Sequence, residues 1–117
     1  MTEQEIQTAV AELADLTVHG KSLDAFEKFY ADDLEKADVD GVVVRGKAAN
    51  RQAGLDLLSK ITAVRDFSCR GSVVSGHRAF VTWHIDFDHA DFGPTEFNEV
   101  AIQDWQEGKI VRERIFV

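Results

Sequence analysis

The stretch that most constrains this chain is Trp105-Gln106-Glu107-Gly108-Lys109-Ile110-Val111-Arg112-Glu113-Arg114-Ile115-Phe116-Val117. An aromatic strand end, a tight turn at Gly108-Lys109 and a second alternating strand together read as a β-hairpin. Further strand-like runs precede it. Val64 to Val74 is followed by the turn signal Ser75-Gly76-His77-Arg78, then by Ala79 to Asp88. After the loop Ala90-Asp91-Phe92-Gly93-Pro94 comes Thr95 to Trp105, and then Lys109 to Val117. The second half of the chain is therefore expected to be an antiparallel meander.

The first half carries helical patterns. Ile6, Val10, Leu13, Ala14 and Leu16 or Thr17 recur at amphipathic spacing between Glu3 and about Val18, and His19-Gly20 ends the run. Ser22 is expected to cap a second helix, with Asp24 in its first turn and Leu23, Phe26 and Phe29-Tyr30 as its buried stripe. Ala31 to Val44 reads as irregular chain with a short hairpin turning at Asp40-Gly41. A third helix, about Lys47 to Lys60, places Ala48, Leu55, Leu58 and Ile61 on one face despite Gly54. Helices followed by a meander, without regular βαβ alternation, define an α+β class: three N-terminal helices against a mainly antiparallel sheet. At 117 residues, one domain spanning 1–117 has room for one core.

Charge excludes some functions. The net charge of −8 opposes binding to a phosphate backbone, so no nucleic-acid partner is expected. No run approaches the roughly 20 apolar residues of a membrane span, and Met1-Thr2-Glu3-Gln4-Glu5 has no basic or apolar leader character. A cytoplasmic location without membrane contact is the expectation. Cys69 is the single cysteine, which leaves no internal disulfide and no cysteine-based zinc motif. No phosphate loop or nucleophile elbow occurs, so no cofactor is expected.

Three pieces carry a resemblance: Phe29-Tyr30-Ala31-Asp32-Asp33, Arg45-Gly46-Lys47, and Trp105 through Phe116. With the element order, they make nearly the whole chain resemble the SnoaL-like and ketosteroid-isomerase-like proteins of the nuclear transport factor 2-like superfamily. The resemblance implies a strongly curved sheet wrapped into a cone, an apolar pocket between sheet and helices, and a homodimer through the outer sheet face. In the ketosteroid isomerases a carboxylate eight residues beyond the motif tyrosine is the general base, and Asp38 holds that place relative to Tyr30. The two enolate-stabilising donors of those enzymes would fall near Leu13 and Ala101, neither of which can donate, so ketosteroid isomerisation itself is not implied. In the SnoaL cyclases the catalytic carboxylate lies on the later strands, which points to Glu99 and Glu113.

Each candidate has a plainer alternative. Asp38 is a pocket base or a solvated member of the run Asp32, Asp33, Glu35, Asp38, Asp40. Glu99 shares a strand face with Phe97, Ala101, Gln103 and Trp105, and the family register turns that face inward. It is a pocket carboxylate or a partner of Arg112 or Arg114. Glu113 faces inward with Ile115 and Val117, or is an exposed part of the Arg112-Glu113-Arg114 run. Tyr30, Phe26, Trp83, Phe97, Gln103 and Trp105 are expected to surround a small apolar ligand, or to serve as core. His84, Asp86 and Asp88 share one strand face, with His89 out of phase. The other face, Val81, Trp83, Ile85 and Phe87, is the apolar one, so a metal site is not expected. His77 is read as a surface turn residue and Cys69 as a small core residue.

Two functions follow. One is a cofactor-independent isomerase or cyclase in which Asp38 or Glu99 moves a proton on an apolar carbonyl or polyketide-like compound. The other is a non-catalytic binding or accessory domain using the same pocket or sheet face.

Overall fold

A computed structural model describes all residues, Met1–Val117. Helix α1, Glu3–Val18, opens with a capping box: the Thr2 hydroxyl accepts from the Glu5 N–H, and the Glu5 carboxylate accepts from the Thr2 N–H. Its buried face is Ile6, Val10 and Leu13, as the spacing predicts. Gly20 takes a φ of +77° and turns the chain into α2, Ser22–Phe29. Here the expectation needs correction. Lys21 is the N-cap, Ser22 is already helical, and Leu23 is exposed, while Ala25 and Phe29 are buried. Phe26 and Tyr30 pack partly buried against the core, so the stripe holds apart from Leu23.

The segment read as irregular contains a full strand. β1, Tyr30–Ala37, leads through a turn closed by the Gly41 N–H to Asp38 carbonyl bond into the short β2, Val43–Arg45. Helix α3, Lys47–Ser59, follows. β3 (Ile61–Ser75), β4 (Arg78–His89), β5 (Gly93–Gln106) and β6 (Lys109–Phe116) complete the chain. Each of these strands except β6 begins earlier or runs longer than its sequence signal. The last hairpin turns on Glu107-Gly108 rather than Gly108-Lys109. Both residues have positive φ, 51° and 81°, as a two-residue turn matched to strand twist requires.

The sheet order is β2-β1-β6-β5-β4-β3. All neighbours are antiparallel except β1 and β6, which run parallel. This one parallel pairing follows from the path of the chain, which leaves β1 for helix α3 and the long meander before returning beside it. The register of β3 on β4 shifts at Ile61/Ala63, Val64/Asp66 and Cys69/Gly71. Each shift bends and twists the long strand, which curls the sheet over the helices.

The core lies between α1, α2 and the concave face of the sheet. Ile6, Val10, Leu13, Ala25 and Phe29 meet Ala79, Val81, Trp83, Ala101, Trp105 and Ile110 there. Helix α3 differs: only Asn50 is buried, and its amide donates to the Val44 and Gly46 carbonyls. Ala48 is exposed, while Leu55 and Leu58 border a cavity rather than entering the core. No helix is long and apolar enough to cross a membrane. Leu34 is fully buried on β1. Leu34→Ala is expected to lower unfolding free energy by about 2–5 kcal/mol, read from urea denaturation midpoints.

Candidate functional site

Between the concave sheet face and the three helices lies a cavity of about 540 Å³. Leu13 and Thr17 of α1, Phe26 of α2, and Gly54, Leu55 and Leu58 of α3 form its helical side. Its sheet side is apolar on β3 and β4, through Val64, Phe67, Trp83, Ile85 and Phe87. Period-two alternation accounts for this: Val81, Trp83, Ile85 and Phe87 all face inward. Polar groups enter mainly from β5, β6 and the β1–β2 segment, as Glu99, Gln103, Glu113, Tyr30, Lys36 and Asp38.

One subset of these groups is tightly organised. Glu113 is 3% exposed, and the Tyr30 hydroxyl donates to its two oxygens from 2.8 and 2.9 Å. The Gln103 amide donates to the Glu113 carboxylate at 2.9 Å, and the Lys36 ammonium lies 3.6 Å away. Burying a carboxyl group is costly unless partners such as these are present. Gln103 is itself oriented, because the Trp105 indole N–H donates to its carbonyl oxygen at 3.2 Å. The Tyr30 hydroxyl is correspondingly hard to ionise: burial, then the Glu113 charge, push its pKa well above 10.0.

Glu99 is the contrast. It lies half-buried on the same inward face, two residues from Phe97 and two from Ala101, and opposite Trp83 on β4. Only burial and surrounding charges act on it; no side chain donates to it a hydrogen bond. Burial foremost, then repulsion from Glu113 and Asp38, raises its pKa to about 7, while Lys36 acts in the opposite direction. Glu99 is therefore a carboxyl group poised to gain or lose a proton near neutrality, in an apolar chamber.

The cavity thus gathers Asp38, Glu99, Tyr30, Phe26, Trp83, Phe97, Gln103 and Glu113. Asp38 stands exposed at the mouth, with one carboxylate oxygen accepting the Val39 N–H at 2.8 Å. Trp105 is not on the cavity wall. It packs behind it, edge-on to Phe29 at 5.8 Å, and reaches the site only through Gln103. The pairing of Glu99 with Arg112 or Arg114 does not form. Residues 112 and 114 of β6 share the opposite sheet face, and Arg112 approaches Glu35 at 4.0 Å. Glu113 is likewise no exposed member of a charge run.

Outside the cavity, His84 on the outer face contacts Asp66 at 2.5 Å, and Arg65 bridges Asp86 and Asp88 at 2.8 and 2.7 Å. Arg65 is thus paired with Asp86 and Asp88, and His84 with Asp66 through a short contact. His89 is buried on the inner face and stacks on Phe92 at 3.9 Å. His77 is exposed, and Cys69 is half-buried against the core.

Sequence reasoning missed Lys36. Its signal was available in the alternation Leu34, Lys36 along β1, but the surrounding Asp32, Asp33 and Glu35 disguised a strand as a charged loop. The apolar α3 surface at Leu57 is also new to the site.

A cone of helices and sheet closing on an apolar chamber with an unpaired carboxyl defines the class as an α+β pocket protein. The match to the SnoaL-like domain family extends over residues 1–117, and the chain belongs to that family. Among solved structures, one described as a SnoaL-like polyketide cyclase from Mesorhizobium loti has a TM-score of 0.88 and 26% identity, with 100% of both chains covered. Another described in the same terms, from Jannaschia sp. CCS1, has a TM-score of 0.80 and 12% identity over 97% of this chain and 85% of that one. A third, described as an isomerase from Bacillus subtilis, has a TM-score of 0.77 and 16% identity over 99% and 88% of the two chains. The last two share the fold. No curated protein sequence matches the chain.

The raised pKa of Glu99 has a consequence for stability. Its folded value, about 7, exceeds its ordinary 4.5, so ionisation opposes folding. That opposition is absent below about 4.5, grows as pH rises, and is complete above about 7. Glu99→Gln is therefore expected to raise the melting temperature relative to wild type at pH 8, with no gain at pH 4, in paired thermal-unfolding scans.

Proposed function

We propose that this protein is a cofactor-independent acid–base catalyst of the isomerase or cyclase type, acting on a small apolar carbonyl or polyketide-like compound. The observation that carries this reading is Glu99: an unpaired carboxyl in an apolar chamber, with a pKa raised to about 7. The ionised carboxylate takes a proton from carbon α to the carbonyl, leaving an enolate and a neutral acid. The acid then returns that proton to the substrate, at the same or a conjugated carbon, and the carboxylate is restored. Proximity within an apolar-walled cavity and a pKa near the working pH both favour the transfer. Trp83 and Phe97 on the sheet side and Phe26 on the helical side border the cavity with aromatic surface for a ring. Asp38 adds negative charge at the mouth, which raises the basicity of Glu99.

Deuterium exchange into cyclic ketones and enones, followed by proton NMR, tests this. Wild type should accelerate exchange, with a rate that rises with pH and levels off above about 7. Glu99→Gln should lose about a hundredfold or more, and Asp38→Asn less than about tenfold. Equal exchange rates for wild type and Glu99→Gln would leave ligand binding alone as the function.

The outer sheet face supports a homodimer as a second element of this proposal. Phe80 lies opposite Ile102, and Thr82, Val100 and Phe116 align across three strands, giving a mostly apolar patch. Beside it the buried Arg114 Nε has no hydrogen-bond acceptor. A second copy would cover the patch and could supply that acceptor. Wild type is expected to sediment as a dimer and Phe116→Asp as a monomer; a monomeric wild type overturns this.

A further inference from the structure

The charges around the cavity do not balance, and the imbalance has one sign. Four carboxylates border it, Asp38, Asp40, Glu99 and Glu113, against two cations, Lys36 and Arg51. Both cations are engaged. Lys36 lies 3.6 Å from Glu113, and Arg51 forms a two-point contact with Glu27 of α2 at 2.5 and 3.0 Å. Elements β3 and β4 add only uncharged side chains to the cavity, among them Trp83, Ile85 and Phe87. Glu99 faces Glu113 from β6, Lys36 from β1 and Asp38 from the turn after β1, accepts no hydrogen bond, and shares its one facing cation, Lys36, with Glu113. An anionic ligand would meet uncompensated carboxylates. A neutral ligand would leave the repulsion on Glu99 unrelieved and add to its burial.

The walls beside Glu99 are aromatic. Trp83 is its cross-strand partner, Phe97 precedes it on the same face, and Phe87 meets Phe97 edge-on at 6.3 Å. Aromatic faces attract cations through their quadrupole, most strongly where water is excluded, by about 0.5–2 kcal/mol per contact. A carboxylate without a partner and aromatic faces without a cation complement the same thing.

We propose that the cavity selects an apolar monocation, such as a ring-bearing amine or quaternary ammonium compound, seated between Glu99 and the aromatic wall. This rests on the cavity being the ligand site, as in the function proposed above, and names the class of compound it takes. The positive charge ionises Glu99 on binding, and one proton leaves to solvent. A substrate that also carries a carbonyl group thus shifts Glu99 towards the carboxylate that the proton transfer needs.

The test uses three probes of similar size on the full chain: benzyltrimethylammonium, its neutral carbon isostere neopentylbenzene, and the anion phenylacetate. Binding is read by tryptophan fluorescence and by calorimetry at pH 5.5 and 8.5. If only ionised Glu99 holds the cation, its affinity should rise about thirtyfold between these pH values, because the competent fraction rises by that factor. Neopentylbenzene should change less than about threefold over the same range, and phenylacetate should bind most weakly. Calorimetry at pH 7 in buffers of different ionisation enthalpy should show proton release with the cation only. Glu99→Gln should abolish the pH dependence for the cation while retaining neopentylbenzene binding, which also verifies that the variant is folded. Neopentylbenzene binding as tightly as the cation at pH 8.5 would overturn the charge selection and leave the cavity standing as a ligand site. No binding of any probe would overturn both.

Discussion

Glu113 is the group on which the cavity depends. Its buried carboxylate collects hydrogen bonds from Tyr30 at the start of β1 and Gln103 on β5, with the Lys36 ammonium near the end of β1. Three strands are thereby joined at one charge, and one of the junctions is the single parallel pairing in the sheet. Burial of a carboxylate is unfavourable by several kcal/mol unless such partners are present, so the array fixes β1 in place as well as tolerating the charge. Without it, Tyr30 and Gln103 would each keep a buried polar group lacking its partner, and the seam between β1 and β6 would lose its polar anchor.

The same array explains why its neighbour behaves differently. Gln103 and Glu113 are cross-strand partners, and Glu99 stands two inward positions along β5 from Gln103. The donors nearby are committed to Glu113, and Glu99, which accepts no hydrogen bond, meets repulsion from Glu113 that Lys36 offsets only in part. Two glutamates on one sheet face thus differ by environment alone: Glu113 is held by hydrogen bonds from two neighbouring strands, and Glu99 faces the chamber with none and with a raised pKa.

The sequence conveyed the fold where hydrophobic period was clean. Ile6, Val10 and Leu13 on α1, and Val81 through Phe87 on β4, were legible because each element buries one face. β1 was not, since a strand lying between two others can carry Asp32, Asp33 and Glu35 when its buried contribution is concentrated at Leu34. The inward direction of Glu99 was ambiguous from alternation, because Val100 and Ile102 make the outer face of β5 apolar as well. What resolved it was packing: Ala101, Gln103 and Trp105 are buried, and the alternate positions are not. The fate of Trp105 could not be read at all, since core and cavity wall lie on one strand face and differ only in where the helices end. Lys36 was hidden for the same reason as β1.

The placement of donors limits the chemistry that this chamber supports. Leu13 and Ala101 occupy the positions where the resemblance would put donors for an enolate oxygen, and both are buried apolar side chains. Tyr30, the one phenol in the chain, directs its proton at Glu113 rather than into the chamber. Enolate charge formed beside Glu99 would consequently develop without a preorganised donor, which is the largest single source of stabilisation in such reactions. In the cation-bound state proposed above, the ligand's positive charge would stand beside the enolate in place of such a donor.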